Sequence, residues 1–131
     1  MEDKICLDTD FLVDFLRDSK NAVDFIKQNE ASKNLATTPI NVFELYYGAY
    51  KSEKKEENLK AINVLLERIN VLNFSVDSSK KAGEILANLE KNGELVEFRD
   101  ILIGSIALVN DYSIKTNNVK HFHKMKGLSI L

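Results

Sequence analysis

This chain has almost none of the residues that staple or anchor a protein. It has one cysteine, Cys6, so no internal disulfide can form and the fold must stand on packing alone; a lone thiol suits a reducing, cytoplasmic setting. No apolar run approaches the length that a membrane span needs, and Met1-Glu2-Asp3 is an acidic start unlike a signal peptide. Proline occurs once, at Pro39. Linkers, low-complexity tracts and internal repeats are missing, which points to a single domain over residues 1–131. A net charge of −2 argues against a general nucleic-acid coating protein, although it allows a local basic face. Acidic residues are absent from Tyr112 to Leu131, where Lys115, Lys120, Lys124 and Lys126 fall. Taken alone, that stretch reads as a solvated, lysine-rich end.

What is present is ordinary globular composition, with 44% hydrophobic and 29% charged residues. Lys4 to Leu7 reads as a short buried strand, in which Cys6 is a small hydrophobe rather than a reactive thiol. Helical spacing follows from Asp10 to Leu16 and again from Ala22 to Asn29. Leu35-Ala36-Thr37 is a weak strand. Thr38-Pro39 starts a helix, with threonine as cap and proline in the first turn, and that helix carries Glu44. Leu59, Ile62, Leu65, Leu66 and Ile69 share one face of the next helix. Val71 to Phe74 reads as a strand, and Asp77 as the cap of a helix ending near Lys91, with Asn92-Gly93 as its stop. Asp100 opens an apolar helix through Val109. Ser113 to Thr116 is a strand, Val119 to Met125 a helical turn, and Leu128 to Leu131 a last strand. Strands alternating with helices imply an α/β fold: a mostly parallel sheet with helices on both faces.

Three acids interrupt this apolar pattern: Asp8 after Ile5-Cys6-Leu7, Glu44 between Val42-Phe43 and Leu45, and Asp100 before Ile101-Leu102-Ile103. Carboxylates are rarely buried unless paired or bound to metal. Singly, Asp8 and Asp100 read as helix caps or first-turn acids. Together with Glu44 they read as a cation site, because ligands of open α/β sheets bind at the carboxyl ends of the strands. Three converging carboxylates call for a cation, and oxygen-only ligands suit Mg²⁺ or Mn²⁺.

Four pieces in order carry a resemblance: Leu7-Asp8-Thr9; Phe43-Glu44-Leu45 with Tyr47-Gly48-Ala49; Asp100-Ile101-Leu102-Ile103-Gly104; and Thr116-Asn117-Asn118-Val119-Lys120-His121-Phe122 with Gly127-Leu128. The chain resembles the PIN-domain ribonucleases, in particular the VapC-type toxins of prokaryotic toxin–antitoxin pairs. The resemblance implies a three-layer α/β/α PIN-like domain that cleaves RNA with Mg²⁺ or Mn²⁺, leaving a 5′-phosphate and a 3′-hydroxyl. Asp8, Glu44 and Asp100 match the acidic positions and would be both catalytic and metal-binding. Asn118 stands where the simplest pattern has Asp, so one well-held ion is expected. Thr116 would orient an acid or a water. The same resemblance implies a homodimer, a VapB-type antitoxin that covers the acidic site with an Arg or Lys, and growth arrest when the antitoxin is missing.

Two other readings stand beside it. Asp8-Thr9-Asp10 matches the DxD of haloacid-dehalogenase-like phosphohydrolases, but Leu12 replaces the expected threonine and no downstream aspartate pair follows. Asp10 is then a rim residue. Asn118 in turn motivates a PIN-like RNA-binding module that no longer cleaves. Arg99 flanks Asp100 and is suited to pair with it or with a phosphate. His121 and His123 read as surface residues, and Tyr46 and Tyr50 as one helical face for core packing or an interface.

Overall fold

The computed structural model describes residues 3–131, so the Met1-Glu2 part of the acidic start lies outside the described residues. Four parallel strands form one sheet: β1 (Lys4–Leu7), β2 (Asn34–Thr37), β3 (Asn70–Val71) and β4 (Ser113–Lys115), in the spatial order β3-β2-β1-β4. Register fixes the two faces. Ile5 pairs with Leu35 and Ser113, while Cys6 pairs with Ala36 and Ile114. Neighbours at one register level point the same way and successive residues alternate, so Ile5, Leu7 and Leu35 face one side and Ile114 the other.

Each side has its own helices. The first core joins Ile5, Leu7 and Leu35 to Phe11 and Leu12 of α1 (Thr9–Leu16), Ala22 and Ile26 of α2 (Lys20–Asn29), Leu45 and Ala49 of α3 (Pro39–Tyr50), and Ile62 and Leu65 of α4 (Lys55–Arg68). The second joins Ile114 to Ala82 of α5 (Val76–Lys91), Ile101 and Ile103 of α6 (Phe98–Val109), and Phe122 of α7 (Val119–Phe122), with Met125. This is the expected three-layer α/β/α arrangement.

Local chemistry sets the helix starts. Thr38 caps α3 with a capping box: its hydroxyl accepts from the Asn41 N–H while the Asn41 side chain reaches back to the Thr38 N–H. For α5 the cap is Ser75, whose hydroxyl accepts from the Ser78 N–H, and not Asp77. Asp77 instead sits in the first turn, where the helix dipole favours it. Two strands are shorter than their sequences suggest. Only Asn70 and Val71 pair with β2, and Leu128–Leu131 forms no strand, making one parallel bridge from Ile130 to Ile114. Tyr46 and Tyr50 also part company. The Tyr46 hydroxyl donates to Asn63 at 2.6 Å while the ring packs against the first core, and Tyr50 is exposed.

Gly104 lets α6 approach the segment after α7. A Cβ there would clash with Met125 Sδ and lie 3.3 Å from Leu128 Cδ2. Met125 is buried, and the atoms in the way are the end of its side chain, which must turn aside within the second core. Overpacking costs about 1–3 kcal/mol against the ~1 kcal/mol that alanine adds in helix propensity, so Gly104→Ala should destabilise by up to about 2 kcal/mol. Thermal denaturation reads the sign directly.

Candidate active site

The chemistry gathers at the carboxyl ends of the strands, at the switch point where the chain leaves β1 for β2 on one side and β4 joins on the other. Asp8 follows β1 and also caps α1, accepting from the Thr9 N–H at 2.9 Å. Thr116 follows β4, and its hydroxyl donates to Asp8 Oδ2 at 2.8 Å across that switch point. Glu44 comes from the second turn of α3, and Asp100 from the first turn of α6. Capping and site roles therefore coincide at Asp8.

A single guanidinium holds the three acids together. Arg99 NH2 donates to Asp8 Oδ1 at 3.0 Å and to Glu44 Oε1 at 2.7 Å, its Nε donates to Glu44 Oε2 at 2.7 Å, and NH1 donates to Asp100 Oδ1 at 2.5 Å. The Asp8 and Asp100 side chains are 1% and 2% exposed, whereas Glu44 and Arg99 each keep 27%. Burial disfavours the Arg99 charge, yet hydrogen bonding and attraction from Glu44 and Asp8 outweigh it and hold its pKa above the ordinary arginine value. Asp100 goes the other way. Burial raises its pKa, and Asp8 repels it further, against the opposing pull of Arg99 and His121.

The outer oxygens have partners too. His121 Nδ1 lies 3.2 Å from Asp100 Oδ2, so this histidine is part of the site and not merely a surface residue. Beneath the acids sits fully buried Asn41, whose Nδ2 donates to Asp8 Oδ1 at 3.0 Å and to the Thr9 hydroxyl at 2.8 Å. The Thr9 hydroxyl in turn donates to Glu44 Oε1 at 2.5 Å. Asn118 stands slightly apart. Its Nδ2 donates to Asp10 Oδ2 at 2.7 Å, and its N–H to the Thr116 hydroxyl at 3.0 Å. Asn117 clips the same loop to Asp14 at 2.8 Å. Asp10 is thus a rim residue that fastens the Thr116–Asn118 loop to α1. Burial and repulsion from Asp8 raise its pKa against the N–H groups of Asn117 and Phe11.

The basic end is less open than its composition suggests. Lys115 lies over the rings of Phe11 and Phe25, and exposed Lys124 is engaged by Glu94 at 2.7 Å, while Lys120 and Lys126 are exposed as well.

As they stand, no three His, Cys, Asp or Glu side chains among the described residues are arranged to hold one metal ion, since the guanidinium spans the trio. The donor set nevertheless fits a divalent ion. It is all oxygen, and one arginine leaves two of the three carboxylate charges unbalanced.

The PIN-domain family model matches residues 5–128. The chain belongs to the PIN-domain family. Relatives of this PIN domain are VapC-type ribonucleases. It is 32% identical to ribonuclease VapC2 of Rickettsia felis over 82% of this chain and 78% of the relative. With the tRNA(fMet)-specific endonuclease VapC of Shigella flexneri it shares 31% identity over 95% of this chain and 94% of the relative. The toxin–antitoxin complex VapBC2 of R. felis, solved on a DNA fragment of its promoter, contains a chain that superposes with a TM-score of 0.90. The two are 27% identical over 97% of this PIN domain and 96% of that chain. PIN-domain nucleases in general use a divalent metal. Membership of this family sets aside the dehalogenase-like phosphohydrolase that Asp8 and Asp10 suggested. No helix of the described residues is long and apolar enough to cross a membrane.

Sequence reasoning placed Arg99 beside Asp100 as a partner for it or for a phosphate, read His121 as a surface residue and missed Asn41. Arg99 and Asn41 each left a signal. Arg99 is the one Lys or Arg between Lys91 and Lys115. Asn41 lies three residues before Glu44, on the same helical face and in the capping-box position.

Proposed function

We propose that this chain is the ribonuclease of a VapBC-type toxin–antitoxin pair, cutting RNA phosphodiesters with Mg²⁺ or Mn²⁺ held by Asp8, Glu44 and Asp100. The observation that carries this reading is the meeting of three carboxylates from distant segments around one cationic group, two of them almost fully buried. A divalent ion bound there would supply an activated water and polarise the scissile phosphate.

The remaining roles belong to the chain's own groups. Thr116 and Asn41 fix the rotamer of Asp8, and His121 fixes Asp100 from the outer side. Thr9 and Arg99 orient Glu44. Asn118 supports the site through Asp10 and Thr116. Exposed Lys120 follows the Asn118 cap of α7 and adjoins His121, where it would meet RNA phosphates without reading sequence. Cleavage in the cytoplasm, where RNA is found, agrees with the single buried thiol of Cys6. A homodimer and a small antitoxin complete the reading. Phe43, Tyr47 and Tyr50 expose apolar surface on α3 that suits protein partners.

Removing metal tests this reading and separates it from a non-cleaving RNA-binding module. Purified protein should cleave RNA with added Mg²⁺ or Mn²⁺ and lose that activity in excess EDTA, recovering on metal addition. Binding of RNA without metal-dependent cleavage would leave the module as the better account.

A further inference from the structure

The acidic centre already contains a cation, and it belongs to the same chain. We infer that Arg99 is an internal latch: it occupies the divalent-ion position between Asp8, Glu44 and Asp100, and must leave before the ion can bind. The inference rests on the metal-centre reading above.

Occupancy of the lone pairs carries it. The inward oxygens Asp8 Oδ1, Glu44 Oε1 and Asp100 Oδ1 all accept from the guanidinium. The outward oxygens Asp8 Oδ2 and Asp100 Oδ2 are engaged by Thr116 and His121. An ion shared by all three acids needs the inward set, so guanidinium and ion compete for the same lone pairs. The exchange is feasible. Arg99 sits in the first turn of α6, and its side chain is 27% exposed, giving it an outlet to solvent that the buried aspartates lack. It is also directional, since a dication replaces a single charge among three carboxylates. The displaced guanidinium stays tethered beside the centre, with its planar fork available to a substrate phosphate. A latch populated in most molecules lowers apparent metal affinity in proportion to the open fraction.

The test is Mn²⁺ binding without RNA, followed by titration calorimetry and by the electron paramagnetic resonance signal of free Mn²⁺, on the full chain. Arg99→Gln removes the charge and should tighten Mn²⁺ binding at least about tenfold. Arg99→Lys keeps the charge but loses the fork that spans three carboxylates, and should fall between the two. The rise in melting temperature on adding Mn²⁺ should be larger for Arg99→Gln than for the parent. A variant that folds only with Mn²⁺ also supports the latch, because the trio then lacks any other cation. If Arg99→Gln folds under neither condition, Arg99→Lys decides. Equal or weaker Mn²⁺ binding once Arg99 is replaced overturns the latch alone. Absence of Mn²⁺ binding at millimolar concentration in parent and variants alike overturns the metal centre, and the latch with it.

Discussion

Asp100→Asn should lower the rate of metal-dependent RNA cleavage by about 10³-fold, since a metal-centred site supplies several kcal/mol of transition-state stabilisation and each 1.36 kcal/mol is a decade in rate. The substitution removes one charge and almost no volume. It should leave the fold intact, because burial already favours the neutral form of Asp100. The amide oxygen can still accept from Arg99 NH1, which now donates to Oδ1. Initial rates at saturating Mn²⁺, read beside the melting temperature, separate lost chemistry from lost structure. Cleavage at a tenth of the parent rate or more would remove Asp100 from the centre. Asp10→Asn is the contrast. Asp10 accepts from Asn118 and from the N–H groups of Phe11 and Asn117, and touches none of the three acids. Its replacement should change the rate less than about tenfold, through loosening of the Thr116–Asn118 loop.

The difference between these two aspartates shows what the sequence could reveal. Apolar runs bounded by an acid marked Asp8 and Asp100 because strand and helix periodicities are local, and a charge that breaks them is visible without knowing the fold. The parallel sheet was equally legible from the alternation of strand-like and helical segments, since β1 is apolar from Ile5 to Leu7 where it lies between helix layers. The pairing of Arg99 with adjacent Asp100 was legible too, but its reach to the other two acids was not. Arg99 reaches Asp8 across 91 positions and Glu44 across 55, and which of several surface cations enters a site depends on the packing of α6 against α3, not on neighbouring residues. The short edge elements failed for a related reason. Residues 72–74 and 128–131 have strand-like composition, but the β2 ladder stops at Val71, with a last hydrogen bond from the Leu72 N–H to Thr37, and beside β4 there is a single bridge at Ile130. Strand propensity largely reports fit to a half-buried surface, and the end of that surface is a tertiary fact.

Asn41→Leu joins the two levels and should be the most damaging substitution of a residue that never meets substrate. Leucine matches the volume but removes every polar contact. Nδ2 donates to Asp8 Oδ1 and the Thr9 hydroxyl, while Oδ1 accepts from the Thr38 hydroxyl at 2.7 Å and from the Thr38 N–H. Thr38 and Asn41 are fully buried and Asp8 nearly so, which leaves water little access to replace those bonds. Each unsatisfied buried group costs about 1–3 kcal/mol, so a loss of roughly 3–5 kcal/mol is expected. For a domain of this size that lowers the melting temperature by about 12–20 °C. Thr38→Ala isolates the capping share of this effect. It removes the hydroxyl that caps α3 but leaves Asn41 on Asp8, and should cost only about 1 kcal/mol. The excess of Asn41→Leu over Thr38→Ala then measures what it takes to hold the Asp8–Thr9 corner. If that corner orients the acids for catalysis, Asn41→Leu should also slow cleavage at a temperature where the variant remains folded, and Thr38→Ala should not. Equal melting temperatures for the two variants would show that Asn41 serves only the helix start.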